Sequence, residues 1–526
     1  MKRIISMILI FVMTTMLMAG CGNSDNKKVE LVWASLVYES QEYETVIKVF
    51  NEKLQEYLPN TTVRFEKVSA DTWTNWMSSG KQVDIAWAGY IFAPLVEVEK
   101  KSYLALDDLI AEHGPNIAKE MKEYSSDYEE GNYEGKQYLI PNQQARFKQT
   151  GSLVVPAQLW QYMDVDSLLS VMNASPYLTE EQLKTVDTYL TKVYASEDYD
   201  TDVVAKYIDV ENIYEVMAKR GYDFITNGMC YKAFDENPQI VSFYETDEFK
   251  LFAKYAASWY EKGYISSEVL TNNGIGSREA VLGGSVTNDW YPTSKEGYGE
   301  AKGIVYNFDT AGNISKYNIL LEKENQMYNG VKVFAESATY LTIPYTSKNP
   351  ERAMQLLDLL RSPEGQELYT LLCYGFEKDS ELAKEYNTYH YEVTEEGLAK
   401  GVDYVMQPVS TSKYGMASWM VGNCLLTYLT SDMVPGADEY VKDFKKNVQP
   451  TLHKTKYAGF MYDSEEISID LTNIRTVISD YEKRLFAGTK AGNWESLHKE
   501  MMDKMNASGL ENVKQKLQSQ ADEYAK

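Results

Sequence analysis

Cysteine and histidine are scarce, with four of each in 526 residues. Beside Cys21 stand Cys230, Cys373 and Cys424, whose spacing matches no zinc pattern and whose odd number requires no disulfide framework. His113, His390, His453 and His498 include no close pair, which argues against a catalytic metal. No metal and no cofactor is therefore expected. Gly-x-Ser-x-Gly, His-Glu-x-x-His and phosphate-loop motifs are missing, so the commonest hydrolase and nucleotide signatures are excluded. Internal repeats and low-complexity runs are also missing. Positive charge is in deficit: 52 Lys and Arg face 77 Asp and Glu, a net charge of −25. Such a surface repels phosphate backbones, which makes nucleic acid a poor partner, and it keeps an exported protein soluble.

What is present begins with a leader. Lys2-Arg3 precede an apolar run from Ile4 to Met18 and then small residues, the layout of a secretory signal. The run is shorter than the ~20 apolar residues that a membrane-spanning helix needs. Leu17-Met18-Ala19-Gly20-Cys21 resembles a bacterial lipobox, in which the chain is cut before the cysteine and the thiol is lipidated. Met18 stands where Leu is commoner. Residues 1–20 are then a signal peptide, 21–28 a lipidated polar tether, and the rest an extracytoplasmic domain held at the cell membrane through Cys21.

Aromatic residues are the second asset. Tyrosine occurs 42 times and tryptophan nine, against 16 phenylalanines. Rings that carry a polar handle suit surfaces apolar on one side and wet on the other. A cleft for a polar, ring-shaped ligand is one such surface, although half-buried packing accounts for most individual tyrosines.

The length suggests two or three folding units. Val29–Val37 reads as a strand, and 40–58 as a helix with Val46, Val49, Phe50, Leu54 and Tyr57 at helical spacing. Thr61–Val68 is a strand, Asp71 a candidate cap for a short helix bearing Trp73, Trp76 and Met77, Val83–Ala88 a third strand and Tyr90–Lys100 a third helix. Strand and helix alternating three times predict a parallel sheet. Ligands of such sheets sit beyond the carboxyl ends of the strands. Tyr38, Glu39, Trp87 and Tyr90 lie at those ends and are candidate ligand contacts. For Trp87 the alternative is core packing, and for Glu39 a solvated helix start.

A first crossing between lobes is expected near residues 142–150, with Gln143, Gln144 and Arg146 on it. The stretch 276–292 predicts a short amphipathic helix, paired glycines, then a strand delivering Asp289-Trp290-Tyr291 at a second crossing. Residues 295–335 look like loops and edge strands. Ala338–Pro344 reads as a strand, and Asn349-Pro350 as a helix start with Asn as cap and Pro at the first position. Ser362-Pro363 repeats that device. Tyr414–Tyr428 is apolar and aromatic and includes Trp419 and Asn423 as further ligand candidates; the tail from Trp494 is two helices.

Several stretches together resemble the extracellular solute-binding lipoproteins of ABC importers, the large group typified by sugar binders. They are Val83–Trp87, Leu104–Asp108, Tyr133–Pro141, Gly284–Trp290 and Ile343–Met354. Tyr481–Tyr524 is similar to a subgroup with an extra C-terminal region of unassigned function. The resemblance implies an α/β, two-lobed fold of the type II periplasmic-binding-protein kind, with mixed sheets flanked by helices and a ligand cleft between the lobes. The expected lobes are 29–145 plus 290–338, and 146–289 plus 339–526 with the C-terminal helical extension. It also implies an ABC permease and ATPase as partners, a monomer, and no enzymatic activity.

The mechanism that follows is hinge closure, in which a ligand touching both lobes favours the closed form by its differential affinity. Trp290 stacks on a pyranose face, while Asp289, Gln143 and Arg146 bond its hydroxyls; the forked donors of Arg suit vicinal hydroxyls or a carboxylate. Arg146 could equally be a surface ion-pair member. The expected solute is an oligosaccharide. A peptide, amino sugar or other polar solute is the alternative, and a secreted hydrolase a further one, since paired acids such as Asp107-Asp108 exist. Glycosidases need two carboxyls about 5 to 10 Å apart across the substrate, which adjacent residues do not provide.

Overall fold

The computed structural model describes residues 28–36, 40–89, 94–129, 131–144, 151–196, 199–226, 228–285, 304–308, 314–321, 328–329, 339–401, 413–416, 418–430, 436–460, 462–489 and 491–526. The chain divides into two compact units: Met1–Gln144 with Glu336–Ser431, and Ala145–Ala335 with Asp432–Lys526.

The first unit is built on a five-stranded sheet. Its order is Thr61–Lys67, Val29–Ser35, Ile85–Gly89, Thr339–Thr342, Ile140–Pro141. The first three strands are parallel, as strand-helix alternation requires. Thr339–Thr342 then enters antiparallel, pairing Thr339 with Gly89 on one side and Tyr340 with Pro141 on the other. The expectation that 339–431 belongs with the second lobe is thereby corrected. The return strand fills the slot between the third strand and Ile140–Pro141, and the following helix, Pro350–Leu359, buries Ala353, Met354, Leu356 and Leu357 in the same unit. Residues 304–320 likewise lie in the second unit rather than the first.

Asp84, fully buried, explains why the 343–354 stretch is built as it is. Its Oδ2 accepts the Val32 N–H and the Gln82 amide, and its Oδ1 accepts Ser347 Oγ and the N–H groups of Lys348 and Asn349, all within 2.8–3.1 Å. One carboxylate thus ties the first strand to the turn before Pro350. Asn349 stands at the cap position but makes no side-chain capping bond. Two further caps differ from expectation. Ser69, not Asp71, caps helix Ala70–Ser79, in a reciprocal bond with Thr72, and Asp71 sits in the first turn where its charge complements the helix dipole. Ser362 accepts the Gly365 N–H at 2.9 Å, so the next helix starts only at Gln366.

The second unit has an antiparallel sheet ordered Gly283–Ser285, Ser152–Pro156, Ile314–Leu320, Ile304–Phe308. A smaller one joins Val241–Ser242, Met229–Lys232 and Tyr222–Thr226. The helix expected over 276–282 is not formed: Gly274 and Gly276 have positive φ and the chain runs as turns into Gly283. Gly284 has to be glycine, because a Cβ there would lie 2.3 Å from the Asn212 carbonyl oxygen. Between 295 and 335, where loops and edge strands were expected, Ile314–Leu320 is an interior strand of the sheet.

The C-terminal helices Ser468–Phe486, Trp494–Ala507 and Leu510–Tyr524 pack into the core of this second unit. Ile474, Leu485, Met501, Met505, Leu510, Val513 and Leu517 are all fully buried there, beside Phe249, Phe252 and Trp259 of helix Asp247–Glu261. Phe486 stacks on Tyr214 with centroids 4.6 Å apart. Glu482 accepts the hydroxyls of Tyr214 and Tyr244 at 3.0 and 2.9 Å, and Gln518 Oε1 accepts the Ile240 N–H at 2.8 Å. The region completes the unit instead of standing apart from it. Phe486→Ala is expected to cost about 3–5 kcal/mol and Leu517→Ala about 2–5 kcal/mol. A chain stopped after Thr455 is expected to lose the calorimetric transition of the second unit while retaining that of the first.

Candidate ligand-binding site

Sheet geometry puts the candidate wall of the first unit at the carboxyl ends of Val29–Ser35 and Ile85–Gly89. Tyr38, Glu39 and Tyr90 lie outside the described residues. Trp87 is described and is 1% exposed. Its indole lies on Gly89: a Cβ at residue 89 would be 2.0 Å from Trp87 Cζ2. The Trp-Ala-Gly sequence therefore has a steric reason, since only glycine lets the ring fold over the strand end.

The elements next to the wall are braced. Glu42 stands at the N-terminal end of helix Tyr43–Tyr57, three residues past Glu39, and its N–H donates to the Lys413 carbonyl at 2.9 Å. One carboxylate oxygen accepts the Thr388 hydroxyl and the other meets His390 Nε2, each at 3.0 Å. His390 Nδ1 accepts the Phe376 N–H at 2.7 Å. A ring that accepts at Nδ1 carries its proton on Nε2 and is neutral. Burial holds its pKa below the usual histidine range, against the opposing pull of Glu42.

Gln143 and Asn423 are brought together although 280 positions separate them in sequence. Gln143 N–H donates to the Gly422 carbonyl at 3.0 Å and the Cys424 N–H donates to Gln143 O at 3.1 Å. Both side chains are buried, at 0% and 5% exposure. Asn423 is committed within the protein: its amide donates to Glu120 Oε2 at 2.8 Å and its Oδ1 accepts the Leu425 N–H at 2.9 Å. Gln144 donates to Thr339 Oγ1 at 3.3 Å. Arg146, Asp289, Trp290 and Cys21 lie outside the described residues, and so does the Trp419 side chain, whose backbone forms a 3-10 turn over Ser418–Met420.

Three residues of this cluster were not singled out from sequence: Glu120, Tyr128 and Arg361. Glu120 Oε1 accepts the Tyr128 hydroxyl at 2.8 Å and lies 3.5 Å from Arg361 Nε. Burial pushes the Glu120 carboxyl up, with Arg361, Tyr128 and Asn423 opposing it. Periodicity offers a signal for two of them. Glu120 falls three positions after Ile117 and Arg361 four after Leu357, so each charge continues an apolar helical stripe.

Comparisons with known proteins agree with this architecture. Residues 456–526 match the family described as a domain of unknown function, DUF3502. A Streptococcus pneumoniae protein named carbohydrate ABC transporter substrate-binding protein is 22% identical over 469 residues, spanning 85% of this chain and 81% of that one. The crystal structure of the N-glycan transport solute-binding protein NgtS from Streptococcus pneumoniae superposes with TM-score 0.68 at 17% identity, covering 95% of this chain and 99% of that one. An extracellular solute-binding protein from Bifidobacterium longum subsp. infantis gives 0.53 at 14% identity over 96% and 100%. The chain has the solute-binding-protein fold.

The His390 arrangement has a defined pH dependence. The folded pKa lies below the unfolded value of about 6.5, so the unfolded chain takes up the proton first. Stability from this group is complete above about pH 6.5 and declines as the pH falls toward the folded pKa. The melting temperature of the first unit is expected to drop between pH 7.5 and 5.5. His390→Asn, which keeps an acceptor for the Phe376 N–H, is expected to flatten that slope; an unchanged slope contradicts the assignment.

Proposed function

We propose that the protein is the substrate-binding subunit of an ABC importer and captures an oligosaccharide outside the cell. The observation that supports this most is likeness along almost the whole chain, DUF3502 region included, to the N-glycan transport solute-binding protein NgtS. The same protein, NgtS, has also been crystallised in complex with Man1GlcNAc and with Man5GlcNAc, and those structures superpose on this chain with TM-scores of 0.57 and 0.55. Composition agrees: indole and phenol rings stack on the C–H faces of sugars, and the tyrosine content is high.

In this reading Cys21 carries the lipid that holds the protein at the membrane, and the permease and ATPase receive its solute. Sugar contacts come from Tyr38, Glu39 and Tyr90 at the strand ends, and from Arg146, Asp289, Trp290 and Trp419 along the later segments. Trp87, Gln143 and Asn423, expected from sequence to touch the ligand, are buried and serve packing and internal hydrogen bonds instead. Closure of the two lobes on the ligand gives the permease a loaded form to recognise. The protein binds its solute and does not transform it.

Calorimetry against a glycan series that includes Man1GlcNAc and Man5GlcNAc tests this. Saturable heat with a mannose-containing glycan and none with peptides of similar size is the expected result; binding of peptides alone would transfer the role to that solute. Trp290→Ala is expected to weaken the glycan by about ten-fold or more, the scale of a lost aromatic contact of about 1.5 kcal/mol. Unaltered affinity removes Trp290 from the site.

A further inference from the structure

The chain passes between its two units at 144/145, 335/336 and 431/432. On the first unit, the segments beside these passages share one buried polar cluster. Arg361 Nη2 donates to the Pro141 carbonyl at 3.1 Å and lies 3.5 Å from Asn142 Oδ1. Asn142 N–H donates to the Thr339 carbonyl at 3.0 Å, and the amides of Asn142 and Gln144 both donate to Thr339 Oγ1 at 3.3 Å. Arg361 thus holds the strand that leads out at Gln144, and that strand holds the one that returns to Thr339. The 422–424 segment, which leads toward the third passage, is bonded to Gln143 on one side and through Asn423 to Glu120 on the other. Glu120 faces Arg361, with the Tyr128 hydroxyl on the same carboxylate oxygen. Glu120, Arg361, Asn142, Gln143, Thr339 and Asn423 are each at most 5% exposed.

We propose that Glu120 and Arg361 are positioning residues that seat the hinge: they fix the directions in which the connecting segments leave the first unit, and so set the balance between open and closed forms without touching the solute. Stability alone is a poor reason for such a pair. A buried ion pair replaced by apolar groups of like volume is often neutral or stabilising, and the use best attested for retaining one is to specify a single arrangement. Here the charges reach main-chain and amide groups of the exiting strands, which an apolar pair could pack against but not hold in register.

The test is the paired variant Glu120→Gln/Arg361→Met in the full chain carrying Cys21→Ser, beside the unpaired Glu120→Gln. The unpaired variant leaves a buried guanidinium uncompensated and lowers the melting temperature, which any structural role also explains. The paired variant removes both charges and is expected to melt near the parent. Spin labels at Lys48→Cys and Lys499→Cys, whose side chains are 66% and 75% exposed, report the distance between units by double electron–electron resonance. The proposal expects a broader or shifted ligand-free distribution in the paired variant. It also expects glycan affinity to fall by about ten-fold, since apparent affinity scales with the fraction of binding-competent molecules. A distribution matching the parent overturns the proposal. The affinity arm rests on the oligosaccharide reading, but the ligand-free distance does not. A parent that binds no glycan defeats that reading alone, whereas an unmoved distribution defeats the hinge seat alone.

Discussion

The rest of this structure depends on how a single chain is held where it leaves the first unit. Pro141 to Gln144 goes out and Thr339 comes back, side by side, with the Arg361 guanidinium bonded to one and amides tying it to the other. A charged side chain is costly to bury unless it is paired. Glu120 supplies the pairing, and Tyr128 and Asn423 satisfy its oxygens. The sheet determines where these strands can lie. The cluster bonds these strands to Arg361 and to one another, which is the ground for proposing that it defines the connections at their roots.

The second unit solves a different problem. Its strands and helices between Ser152 and Leu320 share one core with the last 59 residues, from Ser468 to Lys526, which supply three helices. Glu482 shows how closely the two parts are fitted, since a carboxylate of the last region receives tyrosine hydroxyls from residues 214 and 244. A region matched only as a domain of unknown function thus has an evident physical role here: its helices form part of the core of the second unit.

Much of the fold was legible because periodicity and alternation are local. Three strand-helix repeats gave the parallel half of the first sheet, and Leu497, Met501, Met505, Leu510, Val513 and Leu517 gave the tail helices. What was not legible was long-range. Nothing in Thr339–Thr342 says that it enters antiparallel next to Ile85–Gly89, so the division of the later chain between units was misplaced. Amphipathic spacing at 276–282 suggested a helix, but the glycines at 274, 276, 283 and 284 favour turns and a close strand instead. Capping rules pointed to Asp71 and Asn349, whereas the bonds go to Ser69 and, for the second, to Asp84, which is distant in sequence. Of the candidate site, Gln143 and Asn423 do meet. Glu120 and Arg361, the charges behind them, are visible in sequence only as interruptions of an apolar stripe.

Solute capture by movement of two units about seated connections is a claim about shape, and small-angle X-ray scattering reads shape directly. With the parent chain saturated by the glycan that calorimetry selects, the radius of gyration is predicted to fall and the scattering curve to change form. Superimposable curves with and without a saturating glycan would contradict the account.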